Sequence, residues 1–118
     1  MGRILVIDDR QDTLDLLVRV FEDEGYEVDA ASDGMGARER ILSAEYDVVF
    51  TDLRLGYPFD GLEMLELVKQ TCARTQVVIM TAFSSVESSV LAMKAGAYDY
   101  ISKPFNREGS SLLDGSTY

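Results

Sequence analysis

The chain contains no histidine, and that single absence removes several kinds of chemistry. Without an imidazole there is no Ser-His-Asp relay, no histidine-based zinc site and no phosphohistidine formed within the chain itself. Cysteine is almost as scarce. Cys72 stands alone, which excludes an internal disulfide and fits a reducing, cytoplasmic setting. With no imidazole to activate it, Cys72 reads as a small buried hydrophobe on a helix rather than a nucleophile. Positive charge is in short supply, 11 Lys and Arg against 21 Asp and Glu, for a formal net charge of −10. So acidic a domain repels phosphate backbones and anionic lipid, which argues against direct binding of nucleic acid or membrane. Its apolar runs are too short to span a bilayer. The N-terminal MGRILVIDD also lacks a leader pattern, because its apolar run passes straight into acid.

The 118 residues present suffice for one domain with a single core. Short apolar runs alternate with segments of helical spacing. The expected strands are Arg3–Asp8, Tyr26–Ala31, Tyr46–Asp52, Thr75–Thr81 and Tyr98–Ser102. Leu14, Leu17, Val18 and Phe21 recur at helical intervals, as do Leu62, Leu65, Val68 and Cys72. Val86, Val90 and Met93 mark a further helix, and Ala37, Ile41 and Leu42 a weaker one. Asp12 has the character of a helix N-cap, while Gly25 and Gly96 fall where helices should stop. A repeated βα pattern implies a parallel sheet between helical layers. ILVI, VVF and VVIM are nearly continuous apolar runs, as in strands covered on both faces; YEVDA and YDYIS alternate, as edge strands do. The expectation is a flavodoxin-like doubly wound (βα)5 three-layer sandwich of strand order 2-1-3-4-5, with the last helix short or missing. Its ligand crevice lies where the order reverses, beyond the C-terminal ends of strands one and three.

That placement explains the stretch VVFTDLRLGYPFDG, residues 48–61, in which an apolar strand runs into Asp52. Strand one ends in Asp8 and Asp9, strand four in Thr81, and strand five runs into Lys103. Three carboxylates, a hydroxyl and an ammonium thus reach one rim. Acids so close repel one another unless a hard divalent cation sits among them, and Mg²⁺ suits such oxygen donors best. Taken singly, each residue has an ordinary reading: a turn or cap for an aspartate, a β-former for Thr81, a solvated charge for Lys103. Their joint arrival at C-terminal strand ends does not.

With the motifs ILVIDD, VVFTDLRL, DGLEML, VVIMTAF and AGAYDYISKPF, spread over about residues 3 to 105, the chain resembles the receiver domains of two-component response regulators. The resemblance implies that Asp52 is the phosphoacceptor. It implies Asp9 as a direct Mg²⁺ ligand, Asp8 as a water-mediated one and the Arg54 carbonyl as a backbone ligand. Thr81 would bind the phosphoryl group, Lys103 would pair with it, and Tyr100 would be the aromatic switch. Lys103-Pro104 looks like the family's cis peptide. Ala82, small beside Thr81, leaves room for the incoming group. A dianionic phosphoryl on Asp52 would draw Thr81 towards it, and the void could admit the Tyr100 ring. Because the chain has no histidine, its donor is another molecule, by resemblance a sensor histidine kinase. The run from Ala82 to Phe105 is most similar to enhancer-binding transcriptional regulators, whose ATPase and DNA-binding regions would form a missing C-terminal output domain.

Three departures from the family pattern stand out. The loop between Asp52 and Gly61 is one residue longer, which predicts a bulge beside the Arg54 carbonyl. Arg54 and Phe83 occupy positions that, by resemblance, tune dephosphorylation, and both are large enough to screen water. Residues 106–118 carry only Leu112 and Leu113 as apolar anchors among Gly and Ser, and read as a flexible or appended tail in place of a full fifth helix. Loss of that helix would favour a homodimer. Competing readings are a haloacid-dehalogenase-like phosphatase, which would need its nucleophile in a DxD after strand one, and a flavodoxin-like ligand module, which would need a phosphate-cradling loop where DDRQDT stands. A degenerate receiver used only for protein interaction would not need the intact acidic set.

Overall fold

The computed structural model describes residues 2–55, 60–82 and 85–103. Strands and helices alternate in chain order: β1 Arg3–Ile7, α1 Gln11–Asp23, β2 Glu27–Ala31, α2 Gly34–Ser43, β3 Val48–Asp52, α3 Gly61–Thr71, β4 Gln76–Thr81, α4 Val86–Lys94 and β5 Asp99–Ser102. All strand pairings are parallel and the order is β2-β1-β3-β4-β5. This is the doubly wound order expected from the apolar runs.

Side chains alternate across each strand, so one run feeds two layers. Ile4 and Val6 of β1, Phe50 of β3, and Val78 and Met80 of β4 pack with Leu14, Leu17 and Phe21 of α1. Leu5, Ile7, Val49, Val77 and Ile79 face the other way, against Ala37 and Ile41 of α2, Met64, Leu65 and Val68 of α3, and Ala92 of α4. Each large apolar side chain buried in these layers contributes about 1.5–3 kcal/mol. Phe21 stacks on Phe50 at 4.7 Å and meets Tyr26 edge-on at 6.4 Å, which fixes α1 across the central strands.

Helix ends follow their sequence signals with one exception. At Gly25 and Gly96, both at positive φ, α1 and α4 close with paired bonds: Tyr26 N to the Phe21 carbonyl and Gly25 N to Glu22, then Ala97 N to Ala92 and Gly96 N to Met93. The exception is Asp12. It lies inside the first turn of α1, whose N-cap is Arg10 and has no side-chain cap; the Asp12 carboxylate instead accepts from the Arg10 guanidinium at 3.0 Å and the Thr13 amide at 2.9 Å. Leu42, grouped with Ala37 and Ile41 by spacing, is exposed. Cys72 is not in a helix but caps the C-terminus of α3, half-buried, and a hydrogen bond from Thr75 holds its thiol below its ordinary pKa. Pro58, the loop bulge, the fifth-helix question and the tail 106–118 lie outside the described residues.

Candidate functional site

Parallel strands in register bring their C-terminal ends to one edge, and the rim is built there. Ile7 pairs with Thr51, and Asp52 with Met80, while Thr81 lies opposite Ser102. Among the described residues, the buried polar side chains include Asp8 and Thr81, both at 0 % exposure, and Asp52 at 7 %. Asp9 is exposed beside them. One carboxylate oxygen from each of Asp8, Asp9 and Asp52 lies within 4.8 Å of the others.

Lys103 closes the cluster from the far end of the chain. Its Nζ donates to Asp8 Oδ2 at 2.5 Å and to Asp52 Oδ2 at 3.3 Å, and its side chain is only 11 % exposed. Backbone groups hold the acids in place: Arg10 N donates to Asp8 Oδ1 at 2.9 Å, and Arg54 N to Asp52 Oδ1 at 3.2 Å. Lys103 is itself tethered through its amide to the Thr81 carbonyl at 2.7 Å. Burial holds the Asp52 carboxyl above its ordinary pKa, and the neighbouring Asp8 charge adds to this, while Lys103 and the Arg54 amide oppose it. Lys103 offsets part of the negative charge of Asp8 and Asp52. The all-oxygen donor set of the three carboxylates fits a hard divalent cation such as Mg²⁺. The same carboxylates are suited to nucleophilic attack on phosphorus once that charge is neutralised.

The structure therefore brings together Asp8, Asp9, Asp52 and Lys103, with Thr81 on the adjacent strand end. Arg54 is exposed, with its amide on Asp52. Ala82 is exposed next to Thr81. Tyr100 lies half-buried on β5 against the core beneath α4. Phe83 and Pro104, with the expected cis peptide, fall outside the described residues.

Two structural contributors escaped the sequence reading. Gly61 opens α3 directly against the end of β3: a Cβ there would stand 2.5 Å from the Asp52 carbonyl oxygen and 2.8 Å from Leu53 Cα. The amide of Gly61 donates to the Leu53 carbonyl at 2.8 Å, and an Asp60–Glu63 capping box fixes the helix start. The signal was present in DGLEML, where an acid precedes Gly and Glu follows three residues after the cap. Ser88, which bonds the Tyr100 hydroxyl, had no such signal.

Comparison with known proteins accords with this geometry. A family model, the response regulator receiver domain, matches residues 4–110. The chain belongs to that family. This receiver is 39% identical over 106 residues to the nitrogen assimilation regulatory protein NtrX of Azorhizobium caulinodans, covering 89% of this chain and 23% of that protein. It is 42% identical over 103 residues to the alginate biosynthesis transcriptional regulatory protein AlgB of Pseudomonas aeruginosa, covering 87% and 23%. The chain thus spans about a quarter of the length of these curated relatives. Among solved structures, a Burkholderia pseudomallei response regulator, crystallised with a phosphorylated aspartic acid, calcium ion and citrate, has a TM-score of 0.83 at 28% identity. That alignment covers 90% of this chain and 62% of the other. No helix among the receiver's described residues is long and apolar enough to cross a membrane.

Proposed function

We propose that this receiver is the phosphoacceptor switch of a two-component system, accepting a phosphoryl group on Asp52 from a partner histidine kinase in the cytoplasm. The observation that carries the reading is the meeting of Asp8, Asp9 and Asp52 within 4.8 Å, with Lys103 bonded to two of them. In the transfer, an Asp52 carboxylate oxygen forms a P–O bond as the donor's P–N bond breaks, and the electron pair returns to the donor's imidazole. Phosphoryl transfer needs positioning and charge neutralisation more than covalent help. The Arg54 amide orients the Asp52 carboxylate, and Lys103 offsets negative charge on the transferred oxygens. Thr81, at the neighbouring strand end, is the hydroxyl that would meet the new anion, with small Ala82 leaving space. Mg²⁺, held by Asp8, Asp9, Asp52 and the Arg54 carbonyl, would supply the remaining charge neutralisation.

The domain acts as an acceptor rather than a turnover enzyme, and its output runs through another domain. The similarity to AlgB and NtrX, regulators about four times longer, supports transcription as that output. We take residues 1–105 as the receiver unit. Tyr100 follows Thr81 as the switch residue, carrying the change to α4 and β5. Arg54 and Phe83 would lengthen the phosphoryl lifetime.

Intact mass after incubation with a small phosphodonor and Mg²⁺ tests the reading. The wild type gains one phosphoryl group only when metal is present, and Asp52→Asn gains none. An Asp52→Asn protein that labels like wild type would remove Asp52 from its role.

A further inference from the structure

The Tyr100 hydroxyl is hydrogen-bonded to the hydroxyl of Ser88, a residue given no part in the switch above. Ser88 lies near the start of α4 and belongs to its cap. The Ser88 amide donates to the Ser85 hydroxyl at 3.0 Å, and the Ser88 hydroxyl donates to the Ser85 carbonyl at 3.3 Å. The Ser85 hydroxyl donates to Ser88 Oγ at 3.0 Å. With its own proton directed to that carbonyl, Ser88 Oγ has a lone pair left for the phenol proton. One chain of hydroxyls therefore links the N-cap of α4 to the tip of the Tyr100 ring.

What surrounds this link makes it consequential. Ala92 is the residue that α4 buries, whereas Val86, Val90, Leu91 and Met93 are exposed, so little apolar packing holds the helix to the sheet. Tyr100 pairs with Ile79 across the sheet, two positions before Thr81 on β4. On the switch proposed above, a Tyr100 ring drawn towards Thr81 would leave Ser88, and the α4 cap would lose that tie to β5.

We propose that Ser88 is a positioning residue for Tyr100: its hydroxyl clasps the phenol to α4 in the unphosphorylated receiver, and switching opens the clasp. This rests on the reading of Asp52 as phosphoacceptor for its biological sense, though the clasp itself is read from the hydroxyl geometry. A hydrogen bond of this kind shifts a two-state population ratio by about fivefold.

The test uses the receiver labelled with fluorotyrosine, in which Tyr100 is assigned among six tyrosines by the signal lost in Tyr100→Phe. Wild type with and without phosphodonor and Mg²⁺ defines the two end positions of that resonance. Unphosphorylated Ser88→Ala is expected to move towards the phosphorylated position, by about fivefold in population ratio, and Ser88→Thr, which keeps a hydroxyl, to return it. A Ser88→Ala resonance at the wild-type position, a shift away from the phosphorylated one, or Ala and Thr variants that behave alike would overturn the clasp. Intact mass on the same samples separates the two ideas. Failure of wild type to gain a phosphoryl group would defeat the Asp52 reading; the hydroxyl clasp would then be decided on unphosphorylated protein alone, by a Tyr100 resonance that moves in Ser88→Ala and returns in Ser88→Thr, and an unmoved Ser88→Ala resonance would overturn it.

Discussion

Asp52 and Tyr46 are both acids that the fold holds back from ionising, and the contrast shows what a residue's surroundings add to its identity. Asp52 is held up mainly by burial and secondarily by Asp8, with Lys103 opposing. For Tyr46 the causes are burial and a 2.6 Å hydrogen bond to the Asp29 carboxylate, which an ionised phenolate could not donate, and its pKa is pushed up to about 12. Arg3 and Arg40 pair with the same Asp29 at 3.3 and 3.6 Å, so Tyr46 ties β3's approach to β2 and α2. Its unfolded value is near 10. Between the two values the folded chain keeps a proton that the unfolded chain has lost, so the contribution to stability is full below about pH 10 and disappears as pH rises through 12. A phenolate absorbance titration should show a late step that Tyr46→Phe abolishes. A titration curve unchanged by Tyr46→Phe at its high-pH end would contradict it. The sequence offered Tyr46 only as the start of a strand, because its partner is 17 residues away on another element. Asp8, Asp52, Thr81 and Lys103 were legible because each ends or follows an apolar run.

At the scale of the element, periodicity identified every described helix but did not always say which face turns inward. Val86, Val90 and Met93 revealed α4, yet Val86 is 80 % exposed and the helix meets the sheet through Ala92, with Ala97 following it. Small residues permit close packing and carry almost no weight in a hydrophobic pattern, so the stripe that announced the helix lies on its outer side. Asp12 misled for a related reason: an acid suits the first turn of a helix as well as its cap, and α1 begins one residue before it. Gly61 carries the sharpest prediction at this scale. A methyl group at that position meets the Asp52 carbonyl and the Leu53 backbone, which cannot swing aside as a side chain would. Gly61→Ala should therefore destabilise the fold by about 1–3 kcal/mol, read from the denaturant midpoint. Because the displaced backbone is that of the proposed acceptor, phosphoryl uptake should slow as well. An unchanged midpoint would show that α3 does not press on β3.

For the whole molecule, the strand order was legible because covered and edge strands differ in composition: ILVI, VVF and VVIM lie inside, YEVDA and YDYIS at the edges. Once the order is set, its reversal between β1 and β3 decides where chemistry gathers, and residues as distant as Asp8 and Lys103 come within a hydrogen bond. The tertiary link from Ser88 to Tyr100 could not be read this way, since it depends on how α4 sits against β5 and not on where a strand stops. In the proposed switch, this gathered rim makes one particular carboxylate the acceptor. Borohydride reduction of the freshly phosphorylated receiver tests it most directly, because an acyl phosphate is reduced to an alcohol and leaves homoserine in place of aspartate. Peptide mass sequencing should find homoserine at position 52 and nowhere else; homoserine at Asp8 or Asp9, or none after the chain has gained a phosphoryl mass, would contradict the account.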